Sequence, residues 1–328
     1  MYQPVKRKAF IKWQKPNVRV VYALIAPAIA SIYFFGWRSL LLLACVNLAG
    51  FITEYVFLRA YYKEPVTSAV FVTSFLFTLS LPPTLPIWIA VVGIVFGVLF
   101  GKMVFGGFGR NIFNPALTGR AFIYISFGAY MTASWVSPFQ SFPGGFAFFA
   151  ADTVTKATPM MKISAMNFSG FDITGINTGI SQLSLLLGKV SGSLGETSAI
   201  LILIGGIYIV IKKYANYRIV ISSMIGMLLV QTALWLFGVK GAIDPLSAFL
   251  GGGFVLGSLF MATDPVSASQ TNTGRWIYGG FVGVVSSIIR VFSIWSGGVM
   301  FAILLGNMFA PIIDYYIKQA KMSKGDTK

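Results

Sequence analysis

The pentapeptide Asn111-Ile112-Phe113-Asn114-Pro115 has a near copy in the other half of the chain, Asn307-Met308-Phe309-Ala310-Pro311. Each copy follows the same elements in the same order: a proline-containing break (81–84 and 262–265), a Trp-Ile pair that opens an apolar run (88–89 and 276–277), and a basic residue fourteen positions after the tryptophan (Lys102 and Arg290). Prolines that only ended helices would not reproduce this order. The sequence therefore predicts an internal repeat with interrupted helices, an arrangement typical of transporter-like folds.

The composition places this repeat in a membrane. Of the 328 residues, 56% are hydrophobic and only 10% are charged, whereas a soluble domain carries about 25% charged residues. Apolar runs near the ~20 residues that cross a bilayer predict an all-α integral membrane protein with about ten transmembrane helices. The predicted spans are 20–36, 40–58, 66–81, 87–105, 115–135, 196–211, 219–237, 246–262, 276–292 and 297–317.

Basic residues gather between the apolar runs, and this pattern predicts the orientation. Ten spans put both termini on one side, and the basic clusters fall on that side, as they do in cytoplasmic loops. Two five-helix halves separated by a long loop then run in opposite directions, so the repeat is predicted to be inverted. The predicted parts are a cytoplasmic lead (1–19), a first five-helix repeat (20–136), an extracytoplasmic segment (137–195), a second five-helix repeat (196–317) and a cytoplasmic tail (318–328). The protein is expected in the cytoplasmic (inner) membrane of a bacterium or archaeon.

Residue counts restrict the chemistry that this chain can perform. Its net charge of +16 belongs to the loops between spans, so nucleic acid is not predicted as a partner. The chain has no histidine and a single cysteine, Cys45, while haem, iron–sulfur and zinc sites need several such ligands. No metal site is predicted, and any redox chemistry must come from an organic cofactor.

A polar stretch at a predicted membrane boundary, residues 106–120, is the first candidate site. Its glycines allow close approach of the backbone, and Asn111, Asn114, Thr118 and Arg120 offer hydrogen-bonding groups. A flat heterocycle with imide edges would suit such a stretch. The alternative is a helix-breaking loop whose asparagines cap helix starts, and these residues taken alone favour that alternative.

Three carboxylates stand in or beside predicted spans: Glu54 in an apolar run, Asp264 after a break, and Asp314 in the last span. Buried acids are costly without a partner, so all three are candidates for an ion path. The alternative for Glu54 and Asp314 is a place at the membrane interface near basic clusters. Two basic residues near helix ends, Lys102 and Arg290, are predicted to extend to the interface.

The long polar segment contains Ala-Asp-Thr-Val-Thr-Lys-Ala-Thr-Pro-Met (151–160). Its Asp152, Thr155, Ala157 and Thr158 resemble the flavin-attachment motif Asp-x-x-Ser/Thr-Gly-Ala-Thr, whose last threonine receives FMN through a phosphoester bond. Thr158 is the matching acceptor, and Lys156 stands where the motif prefers glycine. The alternative is an ordinary polar turn, because Thr, Asp and Pro are common in turns.

Four runs together, 104–122, 194–198, 261–267 and 307–315, resemble one family of membrane proteins. It is the NqrB/RnfD family, with members in the sodium-translocating NADH:quinone reductase (NqrB) and in the Rnf electron-transport complex (RnfD). The resemblance implies covalent FMN on Thr158 at the outer face, and non-covalent riboflavin near the cytoplasmic end of residues 111–120. It also implies partner subunits with iron–sulfur and flavin groups, and a flavin transferase for maturation. The short lead before residue 20 favours the RnfD type.

The predicted function is therefore that of a membrane subunit, inactive alone, in a redox-driven translocase that moves Na⁺ or H⁺. An Rnf-type ferredoxin:NAD⁺ oxidoreductase is preferred, and the quinone reductase is the alternative. No side chain of this chain is predicted to be catalytic. The competing hypotheses are a solute channel or transporter of inverted-repeat architecture without a redox role, and a structural scaffold for a complex.

Overall fold

The computed structural model describes residues 10–151, 158, 181–196, 198–293 and 297–325. Asp152, Thr155 and Ala157 of the predicted attachment motif lie outside these residues. Two short parallel strands, β1 (Ile11–Lys12) and β2 (Val66–Thr67), pair with each other. The helices are α1 (Lys15–Phe35), α2 (Arg38–Phe57), α3 (Ala69–Leu79), α4 (Ile87–Val98), α5 (Pro115–Ser126), α6 (Gly128–Ala133), α7 (Gln182–Leu187), α8 (Ala199–Ile211), α9 (Tyr217–Leu236), α10 (Pro245–Leu250), α11 (Phe254–Leu256), α12 (Asn272–Phe292) and α13 (Val299–Gly325). Three of them continue into π-helical turns, Leu58–Tyr62 after α2, Leu99–Met103 after α4 and Gly257–Met261 after α11.

In the described part of the chain, five helices are long and apolar enough to cross a membrane, namely α1, α2 with its π-helical turn, α9, α12 and α13. Three shorter apolar helices accompany them: α3, α4 with its π-helical turn, and α8. The mostly helical, apolar chain agrees with the prediction of an integral membrane protein. Within the described residues, however, several of the predicted spans are shorter than a full crossing.

Two predicted spans are interrupted. The run 115–135 is divided at Phe127 into α5 and α6, and the run 246–262 is divided at residues 251–253, between α10 and α11. Gly252 and Gly253 have φ angles of +64° and +68°, a left-handed conformation that residues with a side chain rarely adopt. The sequence predicts interrupted helices but assigns each of these two runs to one span. The structure divides both runs because they contain positions where the helix ends.

Polar contacts at the two ends of α2 define the two ends of the helix bundle. Arg38, the first residue of α2, donates hydrogen bonds to the carbonyls of Pro83 and Leu85, just before α4. Near its other end, α2 carries Glu54, whose carboxylate contacts Lys102 in the π-helical turn after α4. We call these the Arg38 end and the Lys102 end. The helical rise from Leu85 to Lys102 separates them by ~25 Å.

The end of α3 is completed by residues from far along the chain. Gly195 N–H donates to the Leu79 carbonyl at 2.7 Å, and Leu194 N–H donates to the Leu81 carbonyl at 3.1 Å. Because Pro82 and Pro83 have no N–H group, the helix cannot continue through them. The loop around Leu194 therefore lies at the Arg38 end and satisfies carbonyls that the helix leaves open.

Glycines allow close helix packing in both halves of the chain. A Cβ added at Gly97 of α4 would lie 2.5 Å from the carbonyl oxygen of Pro115 in α5, and one at Gly226 of α9 would lie 2.7 Å from that of Gly280 in α12. Both distances are too short for a side chain. Small residues at helix contacts of this kind are typical of membrane proteins.

Candidate functional site

A cavity at the Arg38 end contains Thr158, the predicted FMN acceptor, and we call it the Thr158 cavity. Helix α5 forms one wall with Leu117, Arg120 and Tyr124, and Glu196 lines the cavity from the loop before α8. Together with the open space at its mouth, the cavity encloses about 1020 Å³. Apolar side chains form much of the remaining wall: Met131, Leu185, Val190, Leu250, Leu256 and Phe301.

Among the described residues, the guanidinium of Arg120 and the carboxylate of Glu196 line this cavity, and the guanidinium of Arg290 binds the glycine loop beside it. Glu196 acts electrostatically on both Arg120 and Arg290, and it accepts a hydrogen bond from Ser193 Oγ at 2.8 Å. Arg290 reaches from α12 to the glycine loop, where its Nη2 donates to the carbonyls of Gly251 at 3.0 Å and Gly252 at 2.6 Å. Among the described residues the cations outnumber the carboxylate, so the local charge favours an anionic ligand.

Two hydrogen-bond donors at the cavity have no acceptor among the described residues. They are Nε of Arg120 and Nε1 of Trp135, and both atoms are buried. Both residues line the Thr158 cavity, and Trp135 is only 6% exposed. Because a buried donor without an acceptor is unfavourable, these two atoms indicate where a ligand would accept hydrogen bonds.

A second cavity, which we call the Asn111 cavity, lies at the Lys102 end. It is lined by Lys102, Phe108, Asn111, Asn114 and Asp264 and encloses about 730 Å³ with the space at its mouth. Apolar groups from α1, α3 and α8 and the aromatic rings of Tyr214 and Phe260 complete its walls. It therefore combines amide groups with apolar faces, as the sequence predicts for a flat heterocycle.

Asn114 lies where the two halves of the chain meet. Its Oδ1 caps α5 by accepting from Ala116 N–H at 3.0 Å, its Nδ2 donates to the Met261 carbonyl at 3.1 Å, and its backbone N–H donates to Oδ1 of Asn307 at 3.1 Å. Asn307 Nδ2 then donates to the hydroxyl of Tyr278 at 2.9 Å. The capping role offered as the alternative is thus observed for Asn114, together with bonds between the halves.

Glu54 has its partner on another helix. Its side chain is 0% exposed, its Oε2 accepts from Lys102 Nζ at 2.6 Å, and its Oε1 accepts from Thr67 N–H at 3.1 Å and Thr67 Oγ1 at 2.8 Å. Lys102 is 2% exposed, so the prediction that it extends to the interface is wrong. The same prediction for Arg290 is also wrong, because its guanidinium turns inward to loop carbonyls. Both cations bind acceptors inside the protein instead.

The other two acids occupy different settings. Asp314, from α13, accepts hydrogen bonds from Ser269 Oγ, Gln270 N–H and both donors of Thr271, all at 2.6 to 3.0 Å. It therefore joins α13 to the start of α12. Asp264 lines the Asn111 cavity and accepts from Ser267 Oγ at 2.8 Å.

The structure divides the candidate residues of 106–120 between two places. Asn111 and Asn114 line the Asn111 cavity, whereas Arg120 lines the Thr158 cavity. Thr118 lines neither and donates to the Asn114 carbonyl at 3.0 Å. The sequence predicts one site that contains both asparagines, Thr118 and Arg120. The structure corrects this prediction, because Arg120 and Thr118 do not line the Asn111 cavity. Trp135 was missed, because a tryptophan at the end of an apolar run is also typical of an interfacial aromatic belt.

Apolar helices, interrupted segments and two cavities with polar walls define a multi-pass membrane protein with candidate ligand sites. The chain belongs to the NQR2, RnfD, RnfE family, whose model matches residues 5–323. The family predicted from the four sequence runs is confirmed.

Curated relatives carry the name of the B subunit of Na(+)-translocating NADH-quinone reductase. The protein of Yersinia pestis is 40% identical over 305 residues, 88% of this chain and 70% of that protein. Those of Ectopseudomonas mendocina (strain ymp) and Neisseria meningitidis serogroup B (strain ATCC BAA-335 / MC58) are 42% and 40% identical over 269 and 271 residues, 80% of this chain and 62% of each relative. The chain thus spans 62% to 70% of the length of these relatives. Their names do not support the preference for the Rnf branch and favour the alternative, the quinone reductase.

Proposed function

We propose that this chain is a membrane subunit of a redox-driven ion translocase of the Na⁺-translocating NADH-quinone reductase type, with FMN esterified to Thr158. The observation that carries this proposal is the Thr158 cavity itself. It combines Thr158 with an excess of positive charge and with two buried donors that lack an acceptor among the described residues. The name of the relatives supports the redox role.

The residues of the cavity fit this cofactor. Apolar side chains such as Leu117 and Phe301 offer faces for a flat ring, and Arg120 and Trp135 offer donors for its oxygen and nitrogen atoms. Bound there, FMN would supply the ability to take up and release electrons. Asp152, Thr155 and Ala157 are assigned to recognition by the flavin transferase.

The Asn111 cavity is proposed to hold the second flavin, non-covalent riboflavin. Asn111 and Asn114 provide donors and acceptors for its imide edge, and Phe108 provides an aromatic contact. Asn114 caps the start of α5 in this cavity, and Tyr124 of the same helix lines the other cavity. The two flavins would therefore be held from one helix, near opposite ends of the bundle.

The remaining parts of the proposal concern the whole assembly. The Lys102 end faces the cytoplasm together with both termini, and the two halves form inverted repeats of five helices. Other subunits with iron–sulfur and flavin groups exchange electrons with this chain in a bacterial or archaeal inner membrane. Glu54, Asp264 and Asp314 are the candidate carboxylates of the ion path, with Na⁺ favoured by the relatives' name.

The attachment site is tested with Thr158→Val and with the matched control Thr153→Val, at a position that the motif leaves unspecified. Both variants are produced in a host with the flavin transferase. The chain without substitutions should give a fluorescent band near its mass of 35.6 kDa on a denaturing gel under ultraviolet light. Thr158→Val should remain in the membrane but give a dark band, since valine has a similar shape and no hydroxyl. A dark band from the chain without substitutions would favour a channel or transporter without a redox role. A bright band from Thr158→Val would assign the ester to another threonine.

A further inference from the structure

The two unpartnered donors of the Thr158 cavity come from different elements and meet at one cavity. Arg120 lies on α5, while Trp135 follows α6. The indole of Trp135 is almost fully buried, and neither Nε1 of Trp135 nor Nε of Arg120 has an acceptor in the described part of the chain. Since an unpaired buried donor is costly, their convergence is best explained by a ligand with acceptor atoms.

The charge of Arg120 is only partly compensated. Within the described residues, the ion pair whose nitrogen and oxygen atoms lie within 4 Å of each other is Lys102 Nζ with Glu54 Oε2, at the opposite end of the bundle. Arg120 is not part of such a pair. Glu196 is held by Ser193 and acts on both Arg120 and Arg290. In the described part of the chain there is one carboxylate for two guanidinium groups, so this low-dielectric wall has a positive potential, which stabilises negative charge on whatever occupies the cavity.

We infer that Arg120 and Trp135 are positioning residues that donate to the carbonyl-bearing edge of the flavin ring, and that Arg120 and Glu196 set its reduction potential in opposite directions. This inference rests on the proposed attachment of FMN to Thr158. Uptake of two electrons and one proton leaves one negative charge on the ring. Arg120 stabilises that charge and raises the potential, while Glu196 opposes it and lowers the potential.

The test measures the potential of the covalently bound flavin in the full chain, carrying covalent FMN and purified in detergent. Electrons are supplied from an electrode through soluble mediators, and reduction is followed by the loss of flavin absorbance. Arg120→Met should lower the ratio of reduced to oxidised flavin at a fixed potential roughly tenfold, a shift of about −30 mV for a two-electron couple. Glu196→Gln should shift the potential in the positive direction, and Arg120→Lys should stay closer to the unmodified chain than Arg120→Met.

A matched control removes a cation at the same end that is exposed to solvent. Lys189 precedes the cavity residue Val190 but is itself exposed, so Lys189→Met should leave the potential unchanged because solvent screens its charge. Trp135→Phe should retain covalent FMN and change its absorbance bands, since the ring loses one hydrogen bond.

The outcomes separate this inference from the proposed function. Covalent FMN whose potential is the same in Arg120→Met and Glu196→Gln would overturn the inference while leaving the attachment to Thr158 intact. Absence of covalent FMN from the chain without substitutions would overturn the proposed function itself. If Arg120→Met does not fold, Glu196→Gln decides the matter, because a shift that is absent or negative contradicts the assigned roles.

Discussion

Replacing Glu54 with glutamine should destabilise the protein more than its similar shape suggests. The carboxylate is fully buried and accepts three hydrogen bonds, one from Lys102 Nζ at 2.6 Å and two from Thr67. An amide in its place presents an NH₂ group to donors and leaves the Lys102 ammonium without its counter-charge. Removing one partner of a buried ion pair costs about 3–5 kcal/mol. The sequence alone, which makes Glu54 a candidate for the ion path, predicts a different result for Glu54→Gln: an intact fold that keeps the flavin, with slower turnover that depends less on the coupling ion.

The measurement is the free energy of unfolding in mixed detergent micelles for Glu54→Gln, Lys102→Met and the double variant. Each single change should cost about 3–5 kcal/mol, and the double variant should cost less than the sum, because it leaves no buried charge unpaired. Turnover and its dependence on Na⁺ are measured on the assembled complex with the same variants.

Two results would refute this reasoning. A loss below ~1 kcal/mol for Glu54→Gln would be typical of an exposed ion pair and would mean that water reaches Lys102. Additive effects in the double variant would mean that the two side chains do not act as a pair. If turnover and ion response also stay unchanged, Glu54 has no part in the ion path.

The remaining predictions concern the junction of the two halves and the orientation. Asn114→Ala should lower the free energy of unfolding by about 1–2 kcal/mol from the lost helix cap alone, and further through the lost hydrogen bond to Met261. The control is Asn47→Ala, which removes a hydrogen bond within one helix. Equal thermal stabilities of the two variants would contradict a role of Asn114 at the junction. Ser169→Cys, in a chain where Cys45 is replaced by serine, should react with a membrane-impermeant thiol reagent in intact cells, and labelling only after lysis would reverse the proposed orientation.

The long helices could be predicted from apolar runs, because a run of that length has few alternatives in a bilayer. The predicted span 219–237 corresponds to Tyr217–Leu236, and 40–58 corresponds to Arg38–Phe57. The breaks could not be placed this way. The glycine run 251–253 is as compatible with an apolar window as the residues around it, and only its backbone conformation ends the helix.

The sequence could predict which motifs contain candidate site residues, but it could not predict which cavity each of these residues lines. Asn111 and Arg120 are close in sequence, yet Asn111 precedes α5 and lines one cavity, whereas Arg120 lies within α5 and lines the other. Which cavity each side chain lines depends on the packing of α5 against both halves, and no local pattern contains that information. For Glu54 the sequence leaves two alternatives open, an ion path and the membrane interface, and the choice of Lys102 as its partner depends on how α2 lies against α4.

The hydrogen bonds that complete α3 also set an order of events during synthesis. The carbonyls of Leu79 and Leu81 are satisfied by Gly195 and Leu194, which leave the ribosome more than a hundred residues later. At roughly 5–20 residues per second, that interval is about 6 to 23 seconds. In lipid an open carbonyl is costly, and α3 has only 11 residues, about 16 Å of helix. The first half of the chain therefore waits in an unfinished state at the membrane until the beginning of the second half arrives.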